Sequence, residues 1–150
     1  MILLEKIFLL RGVGIFKEAS DELLGELALY AEEERVMPKQ MIIKKGELGD
    51  TMYIIVSGKV AILDEGKVLA VFGDRQIFGE LAVLSPEARS ASVETLEECL
   101  FLKLRRQDLI DHFSIEPKLT MGIILELCTR IRTMNKLLSK SEGMSKFDEK

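Results

Sequence analysis

The residues able to do chemistry in this chain are concentrated in positions 77–93, IFGELAVLSPEARSASV. A glycine, a carboxylate, an arginine and a serine lie there within a short span, with Glu80 and Arg89 nine positions apart. Gly79 has no Cβ, so a ligand can approach its backbone closely. If residues 80–84 form a helical turn, its first N–H groups have no intrahelical acceptor and make a ready anion site. Arg89 adds a permanent charge whose planar fork can grip two phosphate oxygens. Ser90 adds a hydroxyl, and the N–H groups of Ser90 and Ala91 add two further donors. An ionised Glu80 only accepts hydrogen bonds and repels a phosphate beside it. It needs a donor such as a sugar hydroxyl, set apart from the anion. Together these groups ask for a ligand with one anionic end and one hydroxyl, which a ribose phosphate satisfies. The alternative is that Glu80 and Arg89 pair with each other and only brace the loop, at ~0–1 kcal/mol for a surface pair.

The rest of the chain has to position this stretch. With 150 residues, 47% of them hydrophobic and 31% charged, it suits one globular domain with a single core. A net charge of −4 and a pI near 5.2 argue against a general nucleic-acid binder. An anion must therefore be held by local groups, since the overall field opposes it. Cys99 and Cys128 are too far apart to chelate, and His112 is the single histidine, so no metal or cofactor is expected. Two buried reduced thiols are the preferred reading, a disulfide the alternative. The opening MILLEKIFLL is interrupted by Glu5 and Lys6. It is neither a signal peptide nor a membrane span, and a cytoplasmic location is expected.

Periodicity divides the chain into helices, strands and helices again. Apolar residues at 3, 4, 7 and 10 predict an amphipathic helix over 2–10, stopped by Gly12 and Gly14. Ser20 is an N-cap for a second helix, with Leu23, Leu24, Leu27 and either Tyr30 or Ala31 on one face. Asp21 and Glu22 suit its positive end, and Glu32, Glu33 and Glu34 read as its solvated far end. From Val36 the pattern changes to short strands: VMPKQMIIKK up to Gly46, then TMYIIVS, KVAILD and KVLAVF. A hairpin turn is expected at Asp64-Glu65-Gly66-Lys67, with Gly66 free to take positive φ. SASVETL and CLFLKLR read as another hairpin around Glu97 and Glu98. Short strands separated by turns indicate an antiparallel barrel or sandwich. A short helix is expected over 107–113, and Pro117 opens a long one. In the long helix Ile124, Leu127, Ile131, Met134 and Leu138 are spaced 3, 4, 3, 4. Such a seam either packs on its own barrel or meets a second helix. Residues 141–150 read as a frayed tail. The expected layout is a helical segment 1–34, strands over 35–104 and helices over 105–140, all in one domain.

FGELAVLSPEARSASV resembles the phosphate-binding cassette of the cyclic nucleotide-binding domain family. That pattern runs FGE-x-A, an eight-residue gap from Glu to Arg, then a small residue, Ala, Ser or Thr, and Val. Upstream, GELGDTMYIIVSGKVAI matches the family's other glycine-marked segment through Gly46, Gly49, Asp50, Tyr53 and Gly58. The likeness extends over roughly residues 5–138. One departure is visible: Arg75-Gln76-Ile77 stands where members usually have Gly-Asp before Phe-Gly-Glu. The resemblance implies an α+β, mainly β fold, an eight-stranded antiparallel β-roll of the jelly-roll type flanked by helices. It implies a ligand set of Gly79, Glu80, Leu81, Arg89, Ser90 and Ala91. Glu80 and the Gly79 amide would take the ribose 2′-hydroxyl, and Arg89, Ser90 and the Ala91 amide the cyclic phosphate. The base would lie on Ile62, Leu69 and Val71, under a lid contributed by Arg130 and Met134.

The implied activity is sensing. Cyclic AMP, or cyclic GMP, would bind, and a hinge over 109–117 would let the last helix close and report to a fused effector or a second copy through residues 119–138. No nucleophile–base pair or pair of catalytic acids is present, so no enzyme activity, no nucleic-acid partner and no membrane insertion are expected. Two alternatives stand: a degenerate roll used only for docking, and the sensor half of a transcription regulator whose DNA-binding part lies elsewhere.

Overall fold

The computed structural model describes residues 1–111 and 117–141. The expected hinge over 109–117, the end of the short helix expected over 107–113, His112 and the tail beyond Ser141 lie partly or wholly outside them. Helices α1 (Leu3–Arg11) and α2 (Asp21–Tyr30) flank a 3₁₀ turn, Gly14–Phe16. Ten strands follow: β1 (Glu32–Val36), β2 (Met41–Ile43), β3 (Leu48–Gly49), β4 (Thr51–Ser57), β5 (Val60–Asp64), β6 (Lys67–Phe72), β7 (Ile77–Phe78), β8 (Glu87–Ala88), β9 (Ser92–Thr95) and β10 (Cys99–Arg105). Helix α3 (Glu80–Leu84) separates β7 from β8, and α4 (Arg106–Ile110) and α5 (Pro117–Ser141) close the described chain. Two four-stranded antiparallel sheets, ordered β1-β10-β4-β7 and β2-β9-β5-β6, form the roll, and β3-β8 is a small separate ladder. The fold is the expected antiparallel roll with flanking helices.

Period-two alternation explains why the roll has two cores. On β4, Met52 and Ile54 face outward to the helices, while Ile55 faces the roll interior. On β10, Leu102 and Leu104 face the helices, and Cys99 and Phe101 the interior. The helical side adds Leu10, Phe16, Leu24, Leu27 and Leu109. Inside the roll, Tyr53 stacks on Phe78 at 4.9 Å between ring centroids. Phe101 meets both edge-on at 5.8 and 5.9 Å. This three-ring block holds Phe78, the last strand residue before Gly79, in place.

Several elements differ from the sequence reading. Glu32, Glu33 and Glu34 are in β1, not at the end of α2. They pair with β10 (Glu32↔Lys103, Glu34↔Phe101), and cross-strand ion pairs Glu34–Lys103 and Glu32–Arg105 replace the missing apolar face. The strand expected from Val36 to Gly46 is two strands, because Lys39 takes φ 62 just after Pro38. Strands β9 and β10 are not a hairpin. β9 pairs with β2 and β5, and β10 with β1 and β4, so residues 96–98 carry the chain from one sheet to the other. Ser20 does cap α2, its side chain accepting from the Leu23 N–H at 3.1 Å, and Ala31 rather than Tyr30 is buried. At the β5–β6 turn both Glu65 and Gly66 have positive φ, as a two-residue I′ loop requires. On α1, Leu10 is buried but Leu3, Leu4 and Phe8 are exposed, so the helix covers less core than its spacing suggests.

Helix α5 lies on the 3₁₀ turn and the segment that follows it through Leu119, Gly122 and Ile123. Gly122 allows the close approach, since a Cβ there would lie 3.0 Å from Glu18 Cβ. Of the 3-4-3-4 seam, Leu127 alone is half-buried, and Ile124, Ile131, Met134 and Leu138 are exposed. The seam is therefore rotated away from the helix's own barrel.

Candidate functional site

The cassette hangs between the two sheets. β7 pairs with β4 through Tyr53↔Phe78 and Ile54↔Ile77. Gly79 then turns the chain with φ 76, a left-handed conformation that favours glycine. Helix α3 is one turn long, anchored by buried Val83 and closed by Ser85 N–H donating to the Leu81 carbonyl at 2.8 Å. β8 runs antiparallel to β3 with Leu48↔Ala88 and Gly49↔Glu87. The backbone of Arg89 is then fixed twice: its N–H donates to the Glu47 carbonyl, and its carbonyl accepts from Gly46 N–H, both at 2.8 Å. The chain enters the other sheet at β9.

Around this loop is a cavity of about 600 Å³, within the range of small-molecule sites. Gly79, Glu80, Leu81, Arg89, Ser90 and Ala91 all line it. Its apolar wall is Ile43, Ile62, Phe72 and Val93, and Leu127 of α5 faces it from above. The arginine fork donates from Nη2 to the Thr51 carbonyl at 2.7 Å. Glu80 and Arg89 thus do not form the bracing pair considered above.

Glu80 is instead tied to the last helix. Arg130 Nη2 is 2.8 Å from both Glu80 carboxylate oxygens, and the Ile15 N–H donates to Oε1 at 3.3 Å. Arg130 Nε also meets Glu126 at 3.4 Å. A Cβ on Gly14 would come within 3.0 Å of both the Arg130 and Glu126 tips, so this glycine makes room for the cluster. Burial works against the Arg130 charge, but Glu80, then Glu126, outweigh it and raise the guanidinium pKa. Stacked on Phe78, the Tyr53 phenol also has its pKa raised, chiefly by burial, so the ring stays neutral at physiological pH.

Of the five residues expected around the base, Ile62 lines the cavity and the other four do not. Leu69 and Val71 are exposed and do not line the cavity. The ladder passes from Ile62↔Ala70 to Leu63↔Val68, leaving Leu69 as an unopposed bulge, and Val71 points to the face opposite Phe72. Met134 is exposed one turn beyond Arg130. Arg130 reaches the cassette through Glu80 and does not line the cavity. Sequence reasoning missed Phe72 and Leu127. Phe72 is two residues from Ala70 on the half-buried face, and Leu127 is one turn before Arg130, so strand and helix periodicity each carried the signal. Among the described residues no group of three or more His, Cys, Asp or Glu could hold a metal ion, both cysteines are unpaired, and no helix is long and apolar enough to cross a membrane.

Residues 33–115 match the model of the cyclic nucleotide-binding domain. The chain is 32% identical over 119 residues to potassium channel AKT2 of Oryza sativa subsp. japonica, covering 76% of this chain and 14% of the channel. It is 27% identical over 136 residues to a CRP-like cAMP-activated global transcriptional regulator of Mycobacterium tuberculosis, covering 87% of this chain and 61% of the regulator. It spans less than two thirds of the length of either relative. Among solved structures, the N-terminal domain of a transcriptional regulator from Streptomyces coelicolor A3(2) superposes with a TM-score of 0.77 at 27% identity, covering 87% of this chain and 94% of that one. The matched segment runs from within β1 through β10 and contains the whole cassette, and the chain belongs to the cyclic nucleotide-binding domain family.

Proposed function

We propose that this domain is a sensor for cyclic AMP, with cyclic GMP the alternative ligand, and that binding is reported through α5. The observation that carries the reading is the gathering of Gly79, Glu80, Leu81, Arg89, Ser90 and Ala91 around one cavity, with the arginine fork already fixed at its rim. In this reading Arg89, Ser90 and the Ala91 N–H take the cyclic phosphate, while Glu80 and the Gly79 N–H take the ribose 2′-hydroxyl. The base lies on Ile62, Phe72 and Val93, under Leu127. The preference for cyclic AMP draws support from the cAMP-activated regulator among the relatives.

Glu80 gives the signalling route. Its carboxylate serves both the proposed sugar contact and Arg130 of α5, so occupancy of the cavity and the position of α5 share one group. A ligand shifts α5 only by its differential affinity for the two positions. The roll, β1 to β10, then binds and the helices α4 and α5 report, to a fused effector or to a second copy. A second copy is supported by the exposed seam Ile124, Ile131, Met134 and Leu138, which a partner helix with the same spacing would cover. Binding, and no turnover, is the proposed activity.

Calorimetry and thermal denaturation with both nucleotides test the reading. Ligand at a hundredfold excess over Kd stabilises by about 2.7 kcal/mol, which raises Tm by roughly 5–10 °C in a domain of this size. Arg89→Ala should remove the rise, and Ser90→Ala should show whether the hydroxyl serves the phosphate (equal loss for both nucleotides) or the base (loss for cyclic GMP alone). No heat and no Tm shift at millimolar concentrations of either nucleotide would leave the docking-only roll as the surviving reading.

A further inference from the structure

Arg89 is held by more than its hydrogen bond. Its fork lies against the bare Cα of Gly49: a Cβ built there would fall 1.9 Å from Nε, 2.3 Å from Cζ and 2.6 Å from Nη2. On its other side a Cβ on Gly79 would lie 2.8 Å from Nη1. We infer that Gly49 is a positioning residue for ligand binding, one wall of a two-glycine slot that sets the Arg89 guanidinium before any ligand arrives. The inference rests on the reading of Arg89 as the phosphate contact and adds how that contact is prepared.

The two glycines do different work. Gly79 has φ 76, and a Cβ there would also meet the Thr51 carbonyl at 2.7 Å, so a side chain at 79 strains backbone and disturbs the fold. Gly49 lies in the short β3 strand opposite Glu87, and its backbone is outside the left-handed region. All three atoms that a Cβ at 49 would overlap belong to the far end of the Arg89 side chain. An alanine at 49 is accommodated by swinging that side chain away, at little cost to the fold, but the swing breaks the Thr51 hydrogen bond and takes the charge out of its set position. A guanidinium has five N–H donors. With one bonded to the Thr51 carbonyl, the rest stay available to an anion, in an orientation that costs no further side-chain entropy on binding. Gly49 therefore protects the function of a residue forty positions away in the chain while contributing almost nothing to stability.

The test uses Gly49→Ala, Arg89→Ala and the double variant, with cyclic AMP as probe. Gly49→Ala should melt within about 2 °C of the parent, as for a surface change of ±0.5 kcal/mol. Its affinity should fall roughly 10- to 100-fold, the size of a lost charged hydrogen bond. In the Arg89→Ala background the same change should alter affinity by less than about twofold, because Gly49 acts through the arginine. Without nucleotide, the Arg89 guanidinium should give resolved, rotationally restricted ¹⁵N signals in the parent and averaged ones in Gly49→Ala. The inference is overturned if Gly49→Ala keeps parental signals and affinity, if it weakens the Arg89→Ala variant equally, or if Tm falls far enough to make Gly49 a residue of the fold. If the parent itself binds neither nucleotide, the sensor reading fails, and the guanidinium signals alone decide whether the slot exists.

Discussion

The contact between the cassette and the last helix can be weighed without any ligand. Glu80 is 17% exposed and Arg130 36% exposed, with Nη2 at 2.8 Å from both carboxylate oxygens. Two unit charges at 4 Å attract by about 4 kcal/mol at an effective dielectric constant of 20. Removing each from water and freezing two long side chains offsets most of that. The pair is more covered than a surface bridge worth 0–1 kcal/mol, but the arginine retains enough solvent to screen it, so a coupling of about 1 kcal/mol is expected. The single changes should be unequal. Arg130→Met leaves a mostly covered carboxylate with one backbone donor, Ile15 N–H at 3.3 Å, and should cost roughly 2 kcal/mol, or 4–8 °C in Tm. Glu80→Gln keeps a hydrogen-bonding group, and Arg130 keeps Glu126 at 3.4 Å, so about 1 kcal/mol is expected. The double variant should fall short of the sum by the coupling term. Thermal melts of the four proteins measure it, and hydrogen exchange of the α5 amides near Arg130 should quicken in Arg130→Met. Additive melting shifts, together with unchanged exchange, would refute the claim that this pair holds α5 to the cassette.

Other perturbations have expected outcomes of their own. Ser20→Ala removes the α2 cap, with its 3.1 Å bond to Leu23 N–H, and should cost about 1 kcal/mol in a denaturant melt. Gly58→Ala should abolish folding or cost more than about 3 kcal/mol: φ is 110, and a Cβ would meet Cys99 Sγ at 2.5 Å and the Glu98 carbonyl at 2.8 Å. Gly66→Ala, with φ 80 but nothing within 4 Å, should cost only the strain of about 1–2 kcal/mol. Burial raises the Cys99 thiol pKa in the fold. Its contribution to stability is therefore intact at neutral pH and is lost as pH rises through the raised folded value. Cys99→Ala should flatten the alkaline end of the stability–pH curve. Ile131→Glu with Leu138→Glu should turn a dimer into a monomer by sedimentation equilibrium if the exposed seam joins two copies, with nucleotide affinity per chain retained.

The cassette was legible because its chemistry is local. Gly79, Glu80, Arg89 and Ser90 are separated by one turn and one short loop, and each residue type states what it can donate or accept. The α2 cap and the Asp64–Lys67 turn were legible for the same reason. What escaped depends on partners far along the chain. Three consecutive glutamates have no strand pattern of their own; they form β1 because Lys103 and Arg105 lie across from them. SASVETL and CLFLKLR have hairpin spacing, yet each finds its partners in a different sheet. Leu69 and Val71 rest on the resemblance alone: in the ladder Val71 pairs with Ala61, on the face away from Phe72, and Leu69 falls in the bulge between Ile62 and Leu63. The rotation of α5 is set by Leu119 and Ile123 against the helical core and not by any feature near Arg130, so Arg130 meets Glu80 and not the cavity wall. At residue 75 an arginine takes φ 68, in the entry turn where the family pattern has Gly-Asp, and its guanidinium rests over Phe8 at 5.4 Å. That contact is worth about 0.5–1 kcal/mol at an exposed site and offsets part of the strain of about 1–2 kcal/mol.

The pairing of β1 with β10 has a consequence for how the molecule is made. In the order β1-β10-β4-β7 the last strand synthesised is an inner one, so β1 has no neighbour in its sheet until the chain has been extended to Arg105. Such a high separation between contacting segments slows folding, and on the ribosome it leaves β1 waiting as an open edge while some seventy further residues emerge. Mutual repulsion among Glu32, Glu33 and Glu34 discourages that edge from pairing with another nascent chain. The acidic run thus acts twice: it keeps the strand solitary during synthesis, and it selects Lys103 and Arg105 once they arrive.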